Sequence, residues 1–185
     1  MDLQDFNKQF ASKMSELSKF IEGEKIRDIM GSEAVDHFQK SFKNEGFTDD
    51  VLEPWQDVKR RDPNSPWYGH NRFASKEEST NKNQQRLQKK NSGTIGIFSQ
   101  ERTTAPILKG GTSDLRNSIR YMITDKGVRV LNSTPYASVH QFGKMAKIYG
   151  KKSFQMPARP FMGKSILLKN NIENKIYKEI KKIIT

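Results

Sequence analysis

From Thr48 to about Gly93 the chain loses every apolar period, and that gap decides what the rest of it can build. Pro54, Pro63 and Pro66 interrupt any regular element, and Lys76 to Ser92 is almost wholly polar. A structureless run of this length is unusual inside a compact domain, so it reads as a long loop or arm, either mobile or held by another subunit. The core must then come from the flanks. The expected organisation is one domain over residues 1–185, with a helical region at 1–47, the polar loop or arm at 48–93 and a mixed body at 94–185. Trp55, Trp67, Tyr68 and Phe73 are the aromatic exceptions inside the polar run. Each either anchors on a partner, where an aromatic buries much area for little lost rotamer entropy, or packs on the chain's own core.

On the first flank Leu3, Phe6, Phe10, Met14, Leu17 and Ile21 step by three or four, the repeat of a helix with one face on a core. Gly23 is expected to interrupt it. A second helical stretch is expected from Glu24 to Met30, ended by Gly31, and a third with Ser32 as N-cap and Val35, Phe38 and Phe42 on its buried side. Asn44 to Gly46 closes this third helix.

On the second flank, Thr94 to Phe98 and Ala105 to Leu108 read as short strands, and Ser113 to Ser118 as a helical turn capped by Ser113. Ile119 to Thr124 and Val128 to Leu131, joined by Asp125-Lys126-Gly127, form a hairpin whose glycine supplies the positive φ of its turn. In Tyr136-Ala137-Ser138-Val139-His140-Gln141-Phe142-Gly143 the apolar Tyr136, Val139 and Phe142 recur every three residues. That spacing predicts a short packed helix with Gly143 as a left-handed cap. A lysine-bearing loop leads to Met156-Pro157-Ala158-Arg159-Pro160-Phe161-Met162-Gly163. Its prolines impose an extended approach, and Pro160 is placed in the first turn of a helix that continues through Phe161, Leu168, Ile172, Ile176, Ile180 and Ile183. The class is therefore α+β: N-terminal helices, a small antiparallel sheet, and a long C-terminal amphipathic helix packed on the sheet.

Composition narrows the function. Hydrophobic residues are 34% and mean hydropathy is −0.84, low for a globular chain, so some segments are expected to be exposed or ordered only by a partner. There is no cysteine, which excludes disulfides and thiolate metal sites. The amino terminus lacks the basic stretch and apolar core of a signal peptide, and no run approaches a membrane span, so a soluble, unexported protein is expected. The net charge of +12 is uneven. Residues 1–50 carry 7 Lys and Arg against 11 Asp and Glu, residues 51–143 carry 15 against 8, and residues 144–185 carry 11 against 2. Such asymmetry is a handle for nucleic acid or for an acidic protein surface, or is a solubilising lysine face.

Catalytic chemistry has little to stand on. His37, His70 and His140 are not at metal-ligand spacing, there is no phosphate-cradling glycine loop, and no cofactor or metal is expected. His70-Asn71-Arg72 has a faint nuclease flavour without a matching carboxylate. The imidazole of His140 is expected to hydrogen-bond nearby backbone or a facing subunit. Arg159, held between two prolines, suits either a bidentate contact to a carboxylate or phosphate across an interface, or a salt bridge within the chain. Lys59-Arg60-Arg61, Lys89-Lys90, Lys151-Lys152 and Lys181-Lys182 are candidate phosphate contacts, with no base-reading motif beside them.

Asp114 to Ile119, the hairpin to Leu131, Pro135 to Gly143 ending in His-Gln-Phe-Gly, and Pro157 to Phe161 follow one another at short spacings. In this the chain resembles the virion-morphogenesis or tail-completion family of tailed phages over about residues 106–185. The first hundred residues match by plan, with Trp55 as the tryptophan of a variable loop, and the lysine-rich stretch from 76 to 90 departs from the pattern. The resemblance implies a non-enzymatic tail terminator or neck protein acting in head-tail joining: a homo-oligomeric ring, a hexamer, between tail tube and head. It would be assembled in the host cytoplasm and carried in the virion. Its partners would be copies of itself, the tail tube and neck or head-completion proteins, with non-specific contact to DNA in a channel and no membrane. Trp55, Trp67, Tyr136, His140, Gln141, Arg159 and Phe161 are the candidate interface residues. The alternatives are a small basic nucleic-acid-binding protein and a nuclease-like or toxin-like enzyme.

Overall fold

The structure is a computed structural model describing residues 2–71, 97–110, 112–148 and 152–185. Helix α1 spans Leu3–Glu22 and α2 spans Glu24–Asn44, with Gly23 alone between them in extended backbone. The apolar step of three and four residues produces α1 as expected, and the Asp2 carboxylate caps it by accepting from the Leu3 N–H at 2.6 Å. The two further helices expected on either side of Gly31 are one. Ser32 does not cap a helix start; its hydroxyl donates back to the Ile29 carbonyl at 3.1 Å. Gly31 is kept for space: a Cβ there would stand 2.2 Å from Cδ2 of Tyr121. The helix tolerates the roughly 1 kcal/mol that an interior glycine costs because it lets a strand cross closely.

Helix α2 buries Gly31, Ala34, His37, Phe38, Ser41 and Phe42 along one side, and most of the molecule is arranged on it. It ends at Glu45, left-handed at φ 53. Strands β1 (Gly46–Thr48) and β2 (Leu52–Pro54) follow as a hairpin paired Gly46 to Pro54. β3 (His70–Asn71) pairs with β4 (Ile97–Phe98), and α3 covers Gln100–Thr104. α4 (Asp114–Asn117) leads into the hairpin of β5 (Ile119–Thr124) and β6 (Gly127–Asn132), in register from Ile119–Asn132 to Thr124–Gly127. α5 (Ala137–Phe142) precedes a last hairpin, β7 (Met145–Ile148) with β8 (Lys152–Gln155), and α6 spans Ile166–Ile184.

The class is α+β, with the antiparallel strands of the described residues forming four separate two-stranded sheets. The β5–β6 hairpin and β1 pack on α2, and α6 lies against α2 and α1. Ala34, Phe38, Phe42, Phe47, Trp55, Ile107, Leu115, Ile119 and Phe161 form the core. Residues 48–71, read as part of a polar loop or arm, thus include the core aromatic Trp55 and strand β2, which pairs with β1. Phe73 and the polar run from Lys76 to Ser92 lie outside the described residues, as does the start of the strand expected at Thr94.

Several local expectations are corrected. Ala105 to Leu108 is a turn rather than a strand, since Pro106 has no N–H for a ladder and Leu108 sits at φ 58, although Ile107 is buried. Ser113 precedes α4 at φ 57 and makes no side-chain cap bond. Phe161 and Pro160 are not on the last helix. That helix begins five residues later, where the Ser165 hydroxyl accepts from the Leu168 N–H at 3.0 Å. Asp49 strengthens the start: its Oδ1 accepts from the Ser165 hydroxyl at 2.8 Å and from the N–H groups of Ile166 and Leu167 at 2.8 and 3.1 Å. A carboxylate facing a helix N-terminus is favoured in its charged form, and these bonds hold the Asp49 carboxyl below its ordinary range. The lysine-bearing loop between the two motifs contains β7 and β8.

Candidate functional site

Helix α5 and the extended segment after β8 are joined side by side, so the two motifs that stand apart in sequence form one clamp. The Gln141 side chain does most of the joining. Its Oε1 accepts from the N–H groups of Phe161 and Met162 at 3.0 and 3.1 Å, while its Nε2 donates to the Met162 carbonyl at 2.6 Å. The Arg159 N–H donates to the His140 carbonyl at 2.7 Å and the Met156 N–H to the Lys144 carbonyl at 3.2 Å. Gly143 ends α5 at φ 62, and a Cβ there would lie 2.7 Å from the Ala158 nitrogen. Left-handed backbone and close approach together demand glycine.

The clamp delivers Phe161 into the core at the end of α2. Phe161 is 1% exposed, its ring 5.2 Å from that of Phe42, which meets Trp55 edge-on at 5.5 Å. The Trp55 indole N–H donates to the Pro160 carbonyl at 2.6 Å, so the tryptophan is satisfied at both its apolar and polar ends. Arg159 is 4% exposed. Its Nε and Nη2 both donate to the Gln56 carbonyl, at 3.2 and 2.9 Å, and it forms no salt bridge among the described residues. Burial lowers its pKa, opposed by the charge of Asp57.

His140 is half-buried with its ring edge-on to Tyr136 at 6.1 Å. Its Nδ1 has no hydrogen-bond partner among the described residues, and it is the backbone carbonyl, not that nitrogen, that is bonded. Burial first and the Arg159 charge second push its pKa down, which favours the neutral ring. The apolar side of α5 is less covered than its spacing predicts: Tyr136 is 42% and Phe142 66% exposed, and the helix is held instead through the Gln141 side chain and the His140 carbonyl, which accepts from the Arg159 N–H.

A second knot supports the clamp from behind. The Arg61 guanidinium forks onto Glu45, Nη1 to Oε2 at 2.8 Å and Nη2 to Oε1 at 2.6 Å, and the Ile107 N–H donates to the same carboxylate at 2.7 Å. The Arg61 hydrogen bond, ahead of the others, lowers the Glu45 pKa. Arg60 donates to the Ala105 and Pro106 carbonyls, and burial, followed by repulsion from Arg102, lowers its pKa to about 10. This basic stretch therefore ties the chain to itself. Of the other basic stretches, Lys89, Lys90 and Lys151 lie outside the described residues, while Lys181 and Lys182 are exposed on α6.

Of the seven candidate interface residues, Trp55, Arg159 and Phe161 are buried inside this chain, His140 and Gln141 are half-buried at the clamp, and Trp67 and Tyr136 reach solvent. The clamp brings five of them together around the end of α2: Trp55, His140, Gln141, Arg159 and Phe161. Nothing in the local sequence marks Glu45 or Asp49, whereas Ser165, three residues before the half-buried Leu168, is a legible helix cap. Among the described residues no three His, Asp or Glu side chains gather as a metal site, and no helix is long and apolar enough to cross a membrane.

The model of the phage virion morphogenesis family matches residues 59–181, from the Arg60–Arg61 knot through the clamp to the last turns of α6, and the chain belongs to that family. No curated protein and no solved structure matches it.

Proposed function

We propose that this protein is a structural, non-enzymatic tail-completion or tail-terminator component of the neck, joined to copies of itself as a ring where tail tube meets head. The observation that carries the ring is an uncovered apolar stripe on α1, where Leu3, Phe6, Phe10 and Met14 are 75%, 50%, 56% and 47% exposed. Single exposed apolar residues are ordinary, but a row of four on one helix face marks an interaction surface. Family membership supplies the setting, a virion in which a protein meets many copies of its neighbours.

The charge asymmetry plays a smaller part than its size implies. The acidic first helices and the lysine-rich last helix lie against each other, with Lys175 on Glu33 and Lys25 on Glu179 at 3.4 Å. The lysines left over on α6 are available to tail, neck or DNA. Arg159 and His140 serve the clamp and are given no bond-making role.

Size-exclusion chromatography with light scattering, on the protein alone and with tail tubes, tests this reading. Ring-sized particles that bind tubes are expected; a chain that stays monomeric and ignores tubes contradicts it. Particles assembled without the protein should appear in the electron microscope as separate heads and tails.

A further inference from the structure

The uncovered stripe on α1 stands at one end of the molecule. Lys13 donates to the carbonyl of Ile184, the last residue of α6, at 2.7 Å, so the residues of α1 before it run on past the end of the helix they pack against. Phe6 and Phe10 stack there at 6.1 Å with 50% and 56% of their surface in water. The clamp stands at the other end of α2, beside Phe42 in its last turn. Twenty-one helical residues separate the two ends, about 30 Å at 1.5 Å per residue.

The clamp end has an exposed apolar pair of its own. Phe142 and Met145 are 66% and 59% exposed, the Lys144 Nζ lies 5.6 Å from the Phe142 ring centre, and Lys147 shares the outer face of β7 with Met145. α1 carries Asp2 and Asp5 at its tip. Apolar surface with carboxylates at one end and apolar surface with ammonium groups at the other are complementary. We infer that the tip of α1 of one copy docks on the Phe142–Met145 patch of the next, a head-to-tail contact that resting on the ring reading names its two faces. A contact of this kind uses two different patches and repeats, as a closed ring requires. Charge excludes the other apolar pair at that end, Val51 and Leu52, which sits among Asp49, Asp50 and Glu53 and repels an acidic tip. Pairing of α1 with another α1 uses one end only and leaves Phe142 and Met145 in water.

Two variants of the full chain test the contact by light scattering: Phe6→Asp with Phe10→Asp, and Phe142→Asp with Met145→Asp. All four side chains are exposed, so helical circular dichroism should match the wild type. Each variant is expected at monomer mass. An equimolar mixture is expected at the mass of two chains, because each variant retains the face the other lacks and one intact contact forms. Assembly of the Phe142/Met145 variant at wild-type mass, or a mixture that stays monomeric, overturns the contact while leaving the ring standing. A wild-type chain that is monomeric even with tail tubes overturns both. Lys144→Glu with Lys147→Glu is expected to raise the concentration at which the assembly dissociates roughly tenfold. Adding Asp2→Lys with Asp5→Lys should restore it, and failure to restore it also counts against the pairing.

Discussion

The clamp and the tip of α1 treat their apolar residues in opposite ways. At the clamp, Phe161 and Trp55 are enclosed, every nearby backbone donor named above has a partner, and even a guanidinium is taken inside on carbonyl oxygens. At the tip, Phe6 and Phe10 touch each other and water. The buried motif residues Trp55, Arg159 and Phe161 build the subunit, while the face of α1 that carries Phe6 and Phe10 is left bare by the subunit's own fold.

Substitutions should separate the two ends by what they damage. Phe161→Ala removes the most enclosed large side chain and should destabilise the fold by about 3–5 kcal/mol, read from urea midpoints. A loss under about 1 kcal/mol would mean that the clamp is not a core element. Gly31→Ala comes next. The added carbon meets the Tyr121 ring, and pushing the β5–β6 hairpin off α2 should cost about 1–3 kcal/mol, against the gain that alanine normally brings to a helix. Gln141→Leu leaves the Phe161 and Met162 N–H groups without partners, for about 1–3 kcal/mol.

The knot behind the clamp should show in acid. The Glu45 carboxyl titrates lower in the folded chain than in the unfolded one, so its contribution is fully present above the ordinary glutamate value. It is lost as pH falls through the folded value. His37 and His140, pushed down by burial, act in the same direction from higher pH: the unfolded chain takes up their protons first, so stability declines below about pH 6.5. Glu45→Gln should lower stability at neutral pH and flatten the part of the profile below about pH 5. An unchanged profile would show that Arg61 does not hold that carboxylate.

How much was legible follows from where each signal resides. The β5–β6 hairpin and the left-handed Gly143 were readable because alternation, turn chemistry and a helix-ending glycine are local. Gly31 reads as a stop because the reason for it, Tyr121, lies ninety residues away and leaves no local mark. Arg60 and Arg61 looked like surface charge for the same cause: their partners are Glu45 and the carbonyls of 105 and 106. Phe161 falls in step with Leu168 at helical spacing, yet the N–H groups of Phe161 and Met162 donate to the Gln141 side chain, which keeps this backbone extended and overrides the period. The apolar stripe of α1 is legible as a stripe. Its burial is not, because periodicity says that residues share a face and nothing about what covers it.

The smallest effect on stability should come from the most apolar of these changes. Phe6→Ser and Phe10→Ser sit on a helix face that the subunit leaves in water, so each should shift the urea midpoint by an amount equivalent to no more than about 0.5 kcal/mol. The same substitutions should reduce assembled mass, which Phe161→Ala in buffer where it remains folded should not, since Phe161 reaches no outer surface. That crossing of effects, fold without assembly at one end and assembly without full stability at the other, is what the division between clamp and tip requires. If the serine variants instead unfold the chain, α1 is covered by something within the subunit, and the contrast between the two ends disappears.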